Sequence, residues 1–161
     1  MTVQARETRR QRFDSPEQEL FLNLWRTYDR LRALEDELFG RFDLTAQQYN
    51  ALRLLRAARP RPMATLELAG RLVSRAPDIT RLLDRLDQRG LVARERPAEN
   101  RRTVHIALTE TGAALLDELD SQVRDCHRRQ LGHLTPDEIE TLTTLLRRAR
   151  APHEPPDSDW R

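Results

Sequence analysis

A chain of 161 residues has room for one compact domain, or for one small module with helices wrapped around it, but not for two large independent domains. Charged residues make up 34% of it and hydrophobic ones 38%, so surface is plentiful and private core is scarce; composition alone allows a helical protomer that completes its core against a second copy, or partial disorder. The net charge of +2 hides an uneven distribution: residues 1–52 carry 8 Arg and 9 acids (−1), residues 53–102 carry 13 Arg and 6 acids (+7), and residues 103–161 carry 7 Arg and 11 acids (−4).

Residues 1–14 show no hydrophobic periodicity and read as a flexible arm. Ser15-Pro16-Glu17-Gln18 is a helix start, with Ser as cap, Pro at the first position and Gln18 able to return the capping bond. Leu20, Leu24, Tyr28, Leu31, Leu34 and Leu38 then recur at steps of three and four, which predicts a long helix ending near Gly40. A second start at Thr45 to Gln48 opens a shorter helix with Tyr49, Leu52 and Leu55 inward, stopped by Pro60-Arg61-Pro62. Two more short helices follow. One runs from Ala64 to Leu72 and is expected to bury Leu66, Leu68, Ala69 and Leu72; after a turn at Val73-Ser74, the other runs from Arg75 to Arg89 with Ile79, Leu82, Leu83 and Leu86 on one side.

After Gly90 the apolar period falls to two over residues 91–96 and again over 103–108, which predicts a two-stranded hairpin. Thr109 restarts a helix with Leu115, Leu116, Leu119, Val123 and Cys126 on its apolar side. Thr135-Pro136-Asp137-Glu138 is a further capping box, ahead of Ile139, Leu142, Leu145, Leu146 and Ala149. Residues 151–161, with three prolines, read as a flexible tail. These periodic segments decide against disorder.

Helix, short helix, turn, second helix and hairpin form the winged helix-turn-helix plan, and it coincides with the +7 segment. The recognition helix should bury Ile79, Leu82, Leu83 and Leu86 and present Arg75, Asp78, Arg81, Arg85 and Arg89 outward. Its first turns reach base edges in this motif, so Ser74 as cap, Arg75, Pro77, Asp78, Thr80 and Arg81 are the candidate DNA contacts, with Arg85 behind them. The bland alternative is a solvated face whose Asp and Arg merely pair, and the attached hairpin argues against it. The hairpin loop 97–102 carries Arg101 and Arg102, suited to a narrow minor groove, against the plainer reading of an exposed turn paired with Glu95 and Glu99. Arg53 and Arg56 are further candidates for phosphate contact.

The stretches Ile79-Thr80-Arg81-Leu82-Leu83-Asp84-Arg85-Leu86, Gly90-Leu91-Val92, and Asn100-Arg101-Arg102 through Leu108-Thr109-Glu110-Thr111-Gly112 resemble the central segment of the MarR family of bacterial regulators. The resemblance covers about residues 45–115. It implies a dimer built by the N- and C-terminal helices, two DNA-binding lobes, and control by a small molecule or oxidant. The family's wing usually has Asp before the paired arginines, where this chain has Asn100, which weakens any salt bridge to them.

Other chemistry finds little footing. The four histidines lack metal-ligand spacing, and there is no glycine-rich phosphate loop or nucleophile motif, so neither an enzyme nor a cofactor is expected. Cys126 lies on an apolar helix side, as a core residue would; a redox role would draw on the neighbouring His127, Arg128 and Arg129. The oxidant-sensing cysteine of part of the MarR family lies in the first helix, where this chain has none. A single cysteine, an arginine-rich polar start and no run of about 18 apolar residues predict a cytoplasmic protein without membrane contact. Trp25 and Tyr28 are candidates for lining a pocket for a small aromatic effector, as the resemblance implies, or else for core or dimer packing.

The expectation is therefore a mainly α protein with a winged helix-turn-helix lobe (45–108), a two-stranded β wing, and dimerisation helices at 15–40 and 109–150. It would act as a homodimer on a palindromic double-stranded operator, as a repressor released by an effector. An architectural DNA binder, or a ligand-binding protein that has lost DNA binding, are the alternatives.

Overall fold

The computed structural model describes residues 13–74, 78–97 and 102–160. Its elements are α1 (Pro16–Gly40), α2 (Ala46–Ala58), β1 (Met63–Ala64), α3 (Thr65–Arg71), α4 (Ile79–Gln88), β2 (Val92–Glu95), β3 (His105–Leu108), α5 (Glu110–Leu131) and α6 (Pro136–Arg150). Local chemistry explains most of the helix starts. Ser15 Oγ accepts from Gln18 N at 3.1 Å, although the Gln18 side chain turns back to Asp14 rather than to the cap itself, taking Asp14 N at 2.7 Å. Thr45 with Gln48 and Thr135 with Glu138 form complete capping boxes, and Thr109 Oγ1 accepts from Gly112 N at 3.0 Å.

The sheet has three antiparallel strands in the order β1-β3-β2, one more than the expected hairpin. Met63 pairs with Ile106, and Val92 with Leu108. Two residues are too short to show a period of two, yet Met63 is fully buried and Thr65 adds two bonds to the Val104 carbonyl, both at 3.1 Å. In α3 the expected inward face also needs correction: Leu68 and Leu72 are buried, but Leu66 is 85% exposed. Leu66 and Leu68 lie about 200° apart around a helix, so a helix this short cannot turn both inward.

The core is concentrated in the lobe. Leu52, Leu55, Met63, Leu68, Leu83, Leu86, Ile106 and Leu116 are its most enclosed side chains, whereas α1 contributes only Leu38 and Phe39 and α6 contributes none. α5 connects lobe and stem: its first turn packs on Leu91 and Leu108, and near its end the buried Gln130 donates from Nε2 to the Leu31 carbonyl of α1 at 2.8 Å. Residues 151–160, read from sequence as a flexible tail, instead fold back on α6. Ala151–His153 form a 3-10 turn, and the Arg150 guanidinium donates to the Trp160 carbonyl and lies 5.6 Å from the Trp160 ring centre. Among the described residues no helix is long and apolar enough to cross a membrane.

Candidate nucleic-acid interface

α4 has a sharply divided face. Leu82, Leu83 and Leu86 are buried against the lobe core, while Thr80, Arg81 and Arg85 are exposed on the other side. The helix starts four residues later than the sequence suggests. Asp78, not Ser74, is its cap, with Oδ1 accepting from Arg81 N at 2.9 Å. A carboxylate at the N-cap also answers the positive end of the helix dipole, which a serine hydroxyl does not. Ser74 serves elsewhere: its Oγ accepts from Gln47 Nε2 at 3.2 Å, and beside it Val73 N donates to Asn50 Oδ1 at 3.1 Å, so α2 holds the turn that leads to α4.

The basic segment divides into engaged and available arginines. Arg89 donates to the carbonyls of Asp43 (2.6 Å) and Phe42 (3.0 Å), which pins the end of the recognition helix to the α1–α2 connection. Arg94 on β2 reaches Asp84 at 2.5 Å and Asp87 at 3.8 Å, tying the wing to α4. Arg61 and Arg71 share Glu67, and Arg59 pairs with Glu110. Arg56, a candidate phosphate contact on sequence grounds, holds Asp120 through two bonds of 2.7 and 3.1 Å. That bond raises the pKa of Arg56 and lowers that of Asp120, so the pair is fully charged at neutral pH.

Arg53, Arg81, Arg85 and Arg96 are exposed and have no ion-pair or side-chain hydrogen-bond partner among the described residues. Two of these four lie one turn apart on the outer face of α4, where a major groove would receive them. Arg102 is exposed at the wing. Arg75, Pro77 and Arg101 lie outside the described residues. Sequence inspection missed the wing tie made by Arg94; its only signal is the alternation that puts Arg94 on the same strand face as Val92, next to an α4 bearing Asp84 and Asp87.

Trp25 and Tyr28 are not gathered into this site. Both are exposed on the outer half of α1, where Trp25 meets Phe21 edge to face at 6.2 Å. A cavity of about 230 Å³ lies instead between the inner half of α1 and α5, lined by Leu34, Leu38, Arg41, Cys126 and Arg129 among others.

A winged helix-turn-helix lobe with an unengaged arginine face defines a DNA-binding class of protein, and comparison with known proteins narrows it. The MarR family profile matches residues 44–104. The chain is 33% identical over 106 residues to the homoprotocatechuate degradative operon repressor of Escherichia coli, covering 66% of this chain and 70% of that one. Among solved structures it is similar to a MarR transcription factor from Planctomyces limnophilus, with 60% identity, a TM-score of 0.68, and coverage of 83% of this chain and 97% of that one. It is also similar to a cysteine-to-serine mutant of MarR from Escherichia coli complexed with operator DNA, with 30% identity, a TM-score of 0.74, and coverage of 81% and 93%. The chain belongs to the MarR family of transcriptional regulators.

Proposed function

We propose that the protein is a homodimeric repressor in the cytoplasm that occupies a two-fold symmetric operator and leaves it when a small aromatic effector binds. The observation that carries the DNA-binding part is the pair Arg81 and Arg85, exposed and unengaged on the outer face of α4 while most arginines around them are tied to carboxylates or carbonyls. Thr80 and Arg81 read base edges, Arg85 and Arg53 meet phosphates, and Arg75, Arg101 and Arg102 add contacts from the start of the helix and the wing. Asp78 and Ser74 hold the backbone that presents these residues.

Apolar surface left uncovered in one chain supports the dimer. Leu20, Phe21, Leu24, Trp25 and Tyr28 on α1, and Ile139, Leu142, Leu145 and Leu146 on α6, are all exposed. Each Å² of apolar surface kept in water costs about 25 cal/mol, and a patch on two long helices is of the kind that a second copy covers. Repression is carried over from the relative named as a homoprotocatechuate degradative operon repressor, and Trp25 and Tyr28 are the exposed aromatic surface that a small aromatic effector would meet at the dimer seam.

Selection of bound sequences from random DNA tests the whole reading. The expected product is a palindrome whose half-sites lie about 10–10.5 base pairs apart, or a multiple of that, with log K falling by about 0.9 per phosphate contact against log salt. Enrichment of a single asymmetric site, or a salt slope near zero, would overturn it. Aromatic acids added to the complex should then release the DNA.

A further inference from the structure

Arg56 engages two carboxylates of another helix, and it lies at a mechanical junction. Its guanidinium spans Asp120 through two bonds of 2.7 and 3.1 Å and touches Asp117 at 3.5 Å. One turn further along α2, Arg59 reaches Glu110, near the start of the same α5. The two arginines and three carboxylates thus form a ladder between α2, which belongs to the lobe, and α5, which runs on to the stem. Beside it the half-buried Tyr49 ring stacks on Phe39 of α1 at 4.5 Å, so three helices meet within reach of Arg56.

The length of α5 turns this contact into a lever. Twenty-two residues make a rod of about 33 Å. Tilting it by about 10° where it leaves the lobe, at Asp120, swings the remaining half of the rod, about 17 Å, and moves its far end by about 3 Å, close to the spacing of about 3.4 Å between successive base pairs. Leu116 and Leu119 hold α5 on the lobe by apolar packing, and a two-bond pair between a planar guanidinium and a carboxylate adds a directional contact at the point where the helix leaves the lobe.

We propose that the Arg56–Asp120 pair fixes the angle between the DNA lobe and α5, and thereby sets the separation of half-sites that the dimer accepts. Arg56 is then a positioning residue: it selects operator spacing without touching DNA. This rests on the dimeric, two-half-site mode of binding proposed above.

The test uses the full chain, its Arg56→Gln, Asp120→Asn and Arg56→Lys variants, and the exchanged double variant Arg56→Asp with Asp120→Arg. Each is titrated against its selected operator with the spacer shortened or lengthened by one and two base pairs, and against operators substituted within a half-site. For Arg56→Gln and Asp120→Asn the preference for the best spacer should fall by about two- to fivefold, the range expected of a part-exposed ion pair, with base preferences within each half-site unchanged. Arg56→Lys, which keeps the charge but not the fork, should lie between these and the parent, and the exchanged double variant should regain part of the spacing preference. Should a neutral variant unfold, as thermal melting would reveal, the lysine and exchanged variants carry the comparison. An unchanged spacing profile in the folded variants would overturn the inference alone. So would equal loss at every spacing with a salt slope shallower by about 0.9 per lobe, which marks Arg56 as a phosphate contact. Failure of the parent protein to bind any paired half-sites would overturn the dimeric reading together with the inference.

Discussion

Gly112, in the first turn of α5, lies directly against the backbone carbonyl of Leu91, and a methyl group built on it would fall inside that oxygen's contact radius and 2.7 Å from Leu108 Cδ1. The same turn is fastened by Thr109 Oγ1, which donates to the Gly90 carbonyl at 2.6 Å, and by Thr109 N, which donates to the Leu91 carbonyl at 3.2 Å. Backbone thus meets backbone where the wing passes into α5. Gly112→Ala should cost about 1–3 kcal/mol, because the Leu91 carbonyl is backbone and cannot move aside, even if the Leu108 side chain can. Thermal unfolding should show a drop of about 2–4 °C for each kcal/mol lost. An unchanged melting temperature would mean that α5 can shift away from Leu91 freely.

Cys126 is buried on α5, and its thiol pKa is raised, first by burial and then by the nearby Glu35. The thiol therefore stays protonated at neutral pH and is a poor nucleophile. Alkylation by iodoacetamide at pH 7.5 should be about tenfold or more slower in the folded than in the unfolded protein. The sign of the pH effect follows from the raised value. The unfolded thiol begins to ionise near pH 8.5 while the folded one does not, so the folded state binds more protons and stability declines as the pH rises above that point. Cys126→Ala should lose this alkaline decline; fast alkylation of the native protein would instead point to a reactive site.

The parts of the fold that local chemistry governs were legible in the sequence. Ser15, Thr45, Thr109 and Thr135 each cap the helix that follows, because a cap needs only a hydroxyl three residues from a free N–H. The outer face of α4 was legible for the same reason, since Leu82 and Leu86 fix its rotation. What depends on distant partners was not. Arg56 meets Asp120 across 64 residues, so it looked as available for phosphate as Arg85, and Arg94 meets Asp84 from another element, a tie that local sequence does not specify. On sequence grounds Ser74 is the cap and Asp78 an outward contact; Asp78 caps instead, because contacts from α2 absorb the Ser74 hydroxyl.

Leu145 on α6 is 54% exposed in the single chain, Ile139, Leu142 and Leu146 are also exposed, and α6 has no buried residue. Leu145→Glu should therefore leave the lobe folded while placing two carboxylates in the proposed dimer seam, one from each copy. Loss of a buried leucine forfeits about 1.5–3 kcal/mol per copy, and an unpaired buried charge adds more. Sedimentation should shift from twice the chain mass towards the chain mass at micromolar concentration, with operator affinity lost in parallel. A variant that stays dimeric would place the seam elsewhere.

Arg81 and Arg85 stand one turn apart on the same face of α4, yet their expected roles differ. Arg81 is in the first turn after the Asp78 cap, where a recognition helix points at base edges, and its fork can take the two acceptors of a guanine; such a contact discriminates by about 1–3 kcal/mol. Arg85 lies towards the end that Arg89 pins to the α1–α2 connection, away from the groove floor, and suits a phosphate. Arg81→Ala should lower operator affinity and relax preference at one position in each half-site. Arg85→Ala should weaken all sequences by a similar factor and make the salt slope shallower by about 0.9 per lobe. Neither substitution should alter unfolding, because both side chains are exposed and unpaired among the described residues. Competition titrations against operators changed one base pair at a time separate the two, and a base-specific loss from Arg85→Ala with a uniform one from Arg81→Ala would show that the recognition helix enters the groove by its opposite end.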